Sequence, residues 1–277
     1  DGVTLLLGTG VATMITVTGS ISGTLLGAVS NLEFDTTGAV SVTGPVGVDL
    51  GTVTVTNSGS ASFASAVTAT TVTLTATTGT VTFTGAVTAA TLNVLAGVNN
   101  VAILGSGTTI TNLVTFSNTG SVTLGDAAVD TLTFNGGITA TAPASKSIAG
   151  TIVTSADAVN LGTSATTVTA NATITPGAAA ITLAAVTINS GVTLTLGAGA
   201  ATPISTGTVS GAAASGNLTI NTTAAVTVAA VAGPNMGTVT ITNSGGTTFS
   251  GGVTATTVTL TATTGTESAI SRMVRAM

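Results

Sequence analysis

The sequence predicts an all-β protein, a parallel β-solenoid of three-sided coils that are each about 20 residues long. Three observations predict it. Apolar and polar residues alternate along most of the chain, the alternation changes phase every few residues, and the pattern returns after 20 residues, as between Phe63 and Phe83 or between Val67 and Val87. One short strand cannot bury its apolar side alone, but stacked coils bury one continuous core.

Residues 67–94 show the coil most clearly. Alternation with threonine begins at Val67 and predicts a half-buried strand. The phase slips by one residue at Thr70 and Thr71, which predicts a corner, because a straight strand would turn every later side chain to the other face. Glycines 79 and 85 predict two further turns, since glycine tolerates positive φ. The residues predicted to face inward are Val67, Ala69, Val72, Leu74, Ala76, Val81 and Phe83.

A longer repeat spans the chain. Residues 51–80 and 237–266 are identical at 23 of 30 positions, at an offset of 186 residues. We therefore expect residues 1–266 to form one continuous solenoid in which residues 2–80 recur as 191–266, about nine coils later. The repeat stops after Thr266, and residues 267–277 form a non-repeat tail. Three interpretations of the tail stay open: a solenoid cap, a short helix that docks on a partner, or a non-native end.

Composition limits the function classes. Of the 277 residues, 44% are hydrophobic and only 4% are charged, against about 25% charged in ordinary soluble domains. Such a chain is too apolar for intrinsic disorder and lacks the basic patch that nucleic-acid binding requires. No apolar run reaches the roughly 18 residues of a membrane-spanning helix. Without cysteine, the chain forms no disulfide or thiolate site.

The sequence predicts no enzyme, no catalytic residues and no cofactor-binding residues. Without histidine, no serine has the base that would activate it as a nucleophile. The glycines form no phosphate-binding loop. Two carboxylate pairs, Glu33 with Asp35 and Asp126 with Asp130, could bind Ca²⁺, although solvated surface carboxylates are the favoured interpretation of both.

Two other features suggest binding surfaces. Thr73, Thr75 and Thr77 would form a flat outward array, the kind of surface that ice-binding β-solenoids use. Irregular sequence near Asn99 and at residues 143–147, which include the only lysine, predicts loops that could present a recognition surface.

At FTGAVTAATLNV, FNGGITATA and FSGGVTATTVTL, which begin at Phe83, Phe134 and Phe249, the chain resembles the β-strand-repeat surface proteins of bacteria. These include autotransporter passenger repeats and filamentous-haemagglutinin-like exoproteins. Its cysteine-free composition, rich in threonine, alanine, glycine and valine, is similar to that of S-layer proteins. The resemblance implies secretion, a rod-like solenoid, and an adhesive or coat-forming role.

These observations lead us to expect a secreted structural protein, extracellular or on the cell surface, that assembles with copies of itself into a filament or surface layer. Low net charge promotes association, and head-to-tail contacts that do not close produce a filament. The alternative is an adhesin stalk that binds a cell or host surface through its loops. Ice binding is a minor alternative.

Overall fold

The computed structural model describes residues 2–24, 29–47, 49–213, 215–231 and 235–271. These residues form an all-β parallel solenoid of about 11 turns, with coils about 21 residues apart, so the predicted fold class is confirmed. Of the predicted tail, Glu267–Ser271 forms a last strand that pairs with Thr247–Gly252, and residues 272–277 lie outside the described residues.

The described residues contain 26 strands. They are β1 Thr4–Leu7, β2 Ile15–Val17, β3 Ser30–Asp35, β4 Ala39–Val42, β5 Leu50–Asn57, β6 Ser60–Phe63, β7 Val67–Phe83, β8 Val87–Ile103, β9 Thr108–Ile110, β10 Val114–Thr115, β11 Ser121–Leu124, β12 Thr131–Phe134, β13 Ile138–Thr139, β14 Ser145–Val153, β15 Val159–Leu161, β16 Thr166–Thr175, β17 Ile181–Leu183, β18 Val186–Ile188, β19 Thr193–Leu196, β20 Ile204–Gly211, β21 Gly216–Asn221, β22 Val226–Val231, β23 Met236–Ser244, β24 Thr247–Gly252, β25 Thr257–Thr263 and β26 Glu267–Ser271.

Each coil has three sides, and on each side strands of successive coils pair in parallel. Backbone N–H and C=O groups therefore hydrogen-bond along the solenoid axis, from one coil to the next. The sides are named by the inward residues of three successive coils: Leu32, Val53 and Val72 on the first side, Val40, Ala61 and Val81 on the second, and Val46, Val67 and Val87 on the third.

Aliphatic and phenyl side chains form one core along the axis. The predicted pairing of Phe63 with Phe83 is confirmed, and their rings stack with centroids 5.0 Å apart and planes 11° apart. Phe34, on the first side, meets Phe63 edge-on at 5.9 Å. Stacked and edge-on pairs both suit the charge distribution of the rings, so the benzyl groups add specific contacts to the burial of apolar area.

The corner between the first and second sides differs from the prediction. Ala76 was expected to face inward, but it is half-buried, and Thr77 is buried instead. The hydroxyls of Thr77 and Ser58, in the coil below, lie 2.9 Å apart and share a hydrogen bond. This pairing satisfies two polar groups away from water, which allows the chain to place threonine rather than alanine inside the corner.

Glycines at the corners are required by the close approach of neighbouring coils. The turn at Gly79 was predicted because glycine tolerates positive φ, yet Gly79 is not among the positive-φ glycines. A Cβ atom on Gly79 would lie 2.4 Å from the carbonyl oxygen of Gly59, and one on Gly105 would lie 2.1 Å from that of Gly85. Side chains are excluded at these positions because the backbone of the coil below occupies the space.

Coil length varies more than the 20-residue period suggests. Equivalent residues are 19 positions apart between Val53 and Val72, but 27 apart between Leu5 and Leu32. Strand pairing fixes the length of each side, so extra residues collect in the connections, such as residues 8–14 between β1 and β2.

The two copies of the 186-residue repeat lie on different sides of the solenoid. Leu32 is on the first side, whereas its equivalent, Leu218, is on the third side, because it pairs with Leu194. Eight turns lead from Leu32 to Ile204, and two further sides lead to Leu218. Equivalent segments are therefore displaced by one side, which means that different sides accept the same sequence.

Candidate functional surface

Glu33 and Asp35 share the outer face of β3, as their spacing predicts. The Thr56 hydroxyl donates a hydrogen bond to Glu33 Oε1 at 2.5 Å, and Asn57 Nδ2 donates to Asp35 Oδ1 at 2.8 Å. Each carboxylate is thus bound to the next coil by a neutral side chain. The two acids belong to the polar ladder of the first side.

Asp126 and Asp130 lie together in the connection between β11 and β12. The buried Asp130 carboxylate accepts hydrogen bonds from the backbone N–H groups of Asp126 and Ala127, at 2.9 and 2.8 Å, and so closes the turn. Desolvation, followed by a hydrogen bond and charge repulsion from Asp130, raises the pKa of the Asp126 carboxyl. Among the described residues, no three histidine, cysteine or acidic side chains converge where a metal ion could be held.

Most of the sequence predicted to form recognition loops lies in strands. Asn99 and Asn100 belong to β8, where Asn99 Nδ2 donates to the Thr78 carbonyl at 3.0 Å and Asn100 Oδ1 accepts from the Ser121 N–H at 2.8 Å. Asparagine at a corner therefore joins coils rather than projecting from them.

The other predicted loop, at residues 143–147, runs into β14. Lys146 faces inward, in register between Val122 and Thr166, and is 3% exposed. Its ammonium group donates to the Ser164 hydroxyl, and burial lowers the pKa of Lys146. The loop was predicted because a lysine is seldom buried. Here the ammonium group of Lys146 instead reaches Ser164, a polar residue at the adjacent corner of the next coil.

The outer face carries threonine in register, although not as the predicted array. Thr73 and Thr75 are half-buried on the first side, but Thr77 is inside the corner. The longest threonine column is on the third side, where seven residues pair in successive coils. They are Thr131, Thr151, Thr173, Thr195, Thr219, Thr240 and Thr259.

Depressions in the sides are open to solvent, and few reactive or titratable side chains line them. One groove of about 430 Å³ follows the third side past Thr68, Thr88 and Thr109, and Asp49 is the only titratable residue in its lining. A groove of this composition offers hydroxyl and methyl groups, without a nucleophile–base pair.

The first described coil has strands that pair on one edge only. In the described residues β1 pairs only with β3, and β2 only with β4, so one edge of each strand is free. Leu5 faces inward over Leu32 yet is 49% exposed. The other large apolar residues exposed in this first coil are Val3, Leu6, Val11 and Met14.

The last described strand of the third side is similar. Within the described residues β25 pairs only with β23. Leu260 continues the inward column above Ile241, but it is 46% exposed. Both ends of the described part of the chain therefore combine a strand edge that no described strand pairs with and inward-facing side chains that are partly exposed.

Sequence reasoning missed these two surfaces, although one signal marks the first of them. The strand at residues 2–8 reads GVTLLLG, whereas its equivalent at 191–197 reads GVTLTLG. Leu6 thus replaces an outward threonine and breaks the alternation of apolar and polar residues.

No protein-family model, curated protein or solved structure matches the chain. The described residues contain no helix long and apolar enough to cross a membrane.

Proposed function

We propose that this is a secreted structural protein that assembles with copies of itself into an extracellular filament or surface layer. One observation carries the proposal: the sides of the solenoid are regular, rich in hydroxyl groups and almost without charge. The only basic side chain among the described residues, Lys146, is buried. Little electrostatic repulsion therefore keeps neighbouring rods apart.

The architecture is suited to a structural role. Each coil contacts mainly its two neighbours, so stability is built up coil by coil along the axis. The resemblance to bacterial surface repeats supports an extracellular location. The absence of cysteine is compatible with that location, because folding then does not depend on the redox state of thiols. Protease added to intact source cells should then degrade the protein while a cytoplasmic marker survives.

Electron microscopy of the purified chain tests assembly directly. We expect filaments or sheets in negative stain, together with material that sediments faster than the monomer. Images and sedimentation should be recorded at low and high salt, with and without Ca²⁺. Monodisperse short rods under every condition would contradict self-assembly.

An adhesin stalk is the second candidate, and it is supported by an apolar patch on the first side. Leu95 and Leu113 are exposed and line a shallow depression of about 200 Å³ in an otherwise polar face. If the patch binds a cell surface, the double substitution Leu95→Ser and Leu113→Ser should reduce adhesion without changing the circular dichroism spectrum. Unchanged adhesion would exclude this patch.

Ice binding is a minor candidate, and the threonine column of the third side is the surface that we propose for it. Its hydroxyls repeat at the spacing of paired strands, about 4.8 Å. Thr195→Lys in mid-column should weaken inhibition of ice recrystallisation, whereas Thr54→Lys on the first side should not. No inhibition by micromolar wild-type protein would end this hypothesis.

A further inference from the structure

We propose that Ser164 is an activated nucleophile, with Lys146 as its general base, and that it takes an acyl group from small uncharged carboxylic esters. Lys146 lies near the start of β14, and Ser164 lies one coil later, at the corner between β15 and β16. The inference goes beyond the proposed structural role and does not depend on self-assembly.

The fold does not require a lysine at position 146. In the same inward column, Val101 and Val122 occupy the two coils below, and Thr166 and Val186 occupy the two coils above. Valine therefore fits this column, whereas a buried cation without an acidic partner opposes folding. Proteins accept costs of this kind mainly at functional sites.

The hydrogen bonds at this corner join a base to a hydroxyl. The Lys146 ammonium group donates to Ser164 Oγ, and Ser164 Oγ donates to the Pro143 carbonyl at 2.5 Å. When Lys146 loses a proton, its Nζ atom becomes an acceptor and the Ser164 hydroxyl can turn to it. Serine is activated by lysine in this way where no histidine is present. Burial lowers the pKa of Lys146, which favours the neutral amine that the reaction needs.

Ser164 is accessible from solvent. It is half-buried, and its neighbours Thr163 and Ala165 are exposed. The backbone N–H groups of Ser164 and Ala165 donate no hydrogen bond to another described residue, and free N–H groups beside a nucleophile can stabilise an oxyanion. Thr163 has a φ of 82°, an outlier for a β-branched residue. Backbone strain of this kind is concentrated at active sites.

The acyl transfer balances with these two side chains alone. Ser164 Oγ attacks the carbonyl carbon of the ester while its proton passes to Lys146 Nζ. The bond to the alkoxy oxygen then breaks, and the alcohol leaves with that proton, so the amine is neutral again. Water activated by the same amine can hydrolyse the acyl-serine and release the carboxylic acid. The exposed residues beside the nucleophile, Ala142, Ala144 and Ala165, are small and neutral, which favours small uncharged esters.

Acetylation by p-nitrophenyl acetate tests the proposal on the folded chain. Samples quenched at intervals are digested, and peptide mass spectrometry locates the acetyl groups. Ser65 is the matched control within the same molecule, because it is also half-buried and its hydroxyl donates to the Thr43 carbonyl at 2.7 Å. It has no lysine beside it, since Lys146 is the only one in the chain. We expect Ser164 to be acetylated roughly 100-fold faster than Ser65.

Lys146→Met removes the base but keeps a long side chain, and circular dichroism checks that the variant is folded. Acetylation of Ser164 should then fall to the rate of Ser65, which should itself be unchanged. In the wild type the Ser164 rate should rise with pH through the lowered pKa of Lys146 and then level off. The groups facing the ammonium, Val122, Thr166 and Ser164, are uncharged, so the plateau reports Lys146 alone.

Three results would overturn the proposal. They are equal acetylation rates at Ser164 and Ser65 in the wild type, an acetyl group on Lys146 in place of Ser164, and a Ser164 rate that Lys146→Met leaves unchanged.

Discussion

Lys146 is the least expected residue of the core. Its neighbours in the ladder are Val122 and Thr166, and its hydrogen-bond partner, Ser164, is neutral. Thr166 Oγ1 is buried without a hydrogen-bond partner among the described residues. A buried cation without a counter-charge opposes folding, because the ammonium group loses hydration that no carboxylate replaces.

Replacing this cation with an apolar side chain of similar length should stabilise the protein. We expect Lys146→Met to raise the free energy of unfolding by about 1 kcal/mol at pH 7. Urea denaturation measures this change. Ser164→Ala should have the opposite effect, because it leaves the ammonium group without its partner.

The same pair of proteins gives a pH test. Burial lowers the pKa of Lys146 in the folded state, so a protonated Lys146 reduces the free energy of unfolding. This penalty is complete at pH values below the lowered pKa. The penalty falls as pH rises through that pKa and disappears above the unfolded value of about 10.4. Because the chain has no histidine, cysteine, tyrosine or second lysine, stability should rise with alkaline pH in the wild type relative to Lys146→Met. A constant difference between the two would contradict a depressed pKa.

The hydroxyl pair of Ser58 and Thr77 tests how a buried polar contact is balanced. Thr77→Val leaves the Ser58 hydroxyl unpaired and should cost about 1–3 kcal/mol. Adding Ser58→Ala should restore most of this loss, because Val98 already fills the position above Thr77 in the next coil. Thermal unfolding of both singles and the double measures the coupling. Additive losses would show that the hydrogen bond is unimportant.

Among structural elements, the corners are the most sensitive to substitution. Gly105→Ala would press a methyl group against the Gly85 carbonyl, and we expect a loss of about 1–3 kcal/mol. The control is Gly19→Ala, because a Cβ atom there meets nothing within 4 Å. Chemical denaturation should separate the two variants, and equal stabilities would refute coil contact as the reason for glycine at position 105.

The sides could be predicted from the sequence, whereas the corners could not. Alternation around Val67 and Phe83 predicts inward columns, and the structure has them. At a corner, however, both Ala76 and Thr77 fit the local pattern, and only the hydroxyl of Ser58 in the coil below decides between them. Lys146 was assigned to a loop for a similar reason, since its partner Ser164 belongs to the next coil. The open ends depend on which coils pair, which no single stretch of sequence shows.

At the scale of the whole molecule, stability should decline from the middle to the ends. Strands β1 and β25 are each held by one neighbour, while central strands such as β16 are held by two. We expect hydrogen exchange to be faster in β1 and β25 than in the central coils. Mass spectrometry of the exchanging protein measures this, and uniform protection along the chain would contradict it.

The displacement of Leu32 and Leu218 to different sides has a geometric consequence for any longer array of the same repeat. Each successive copy would be displaced by one of the three sides, so a given segment would return to its original side only after three copies. The three sides of such a rod would be equivalent over its length. A neighbouring rod or a flat support would therefore meet the same pattern of hydroxyl and methyl groups on any side.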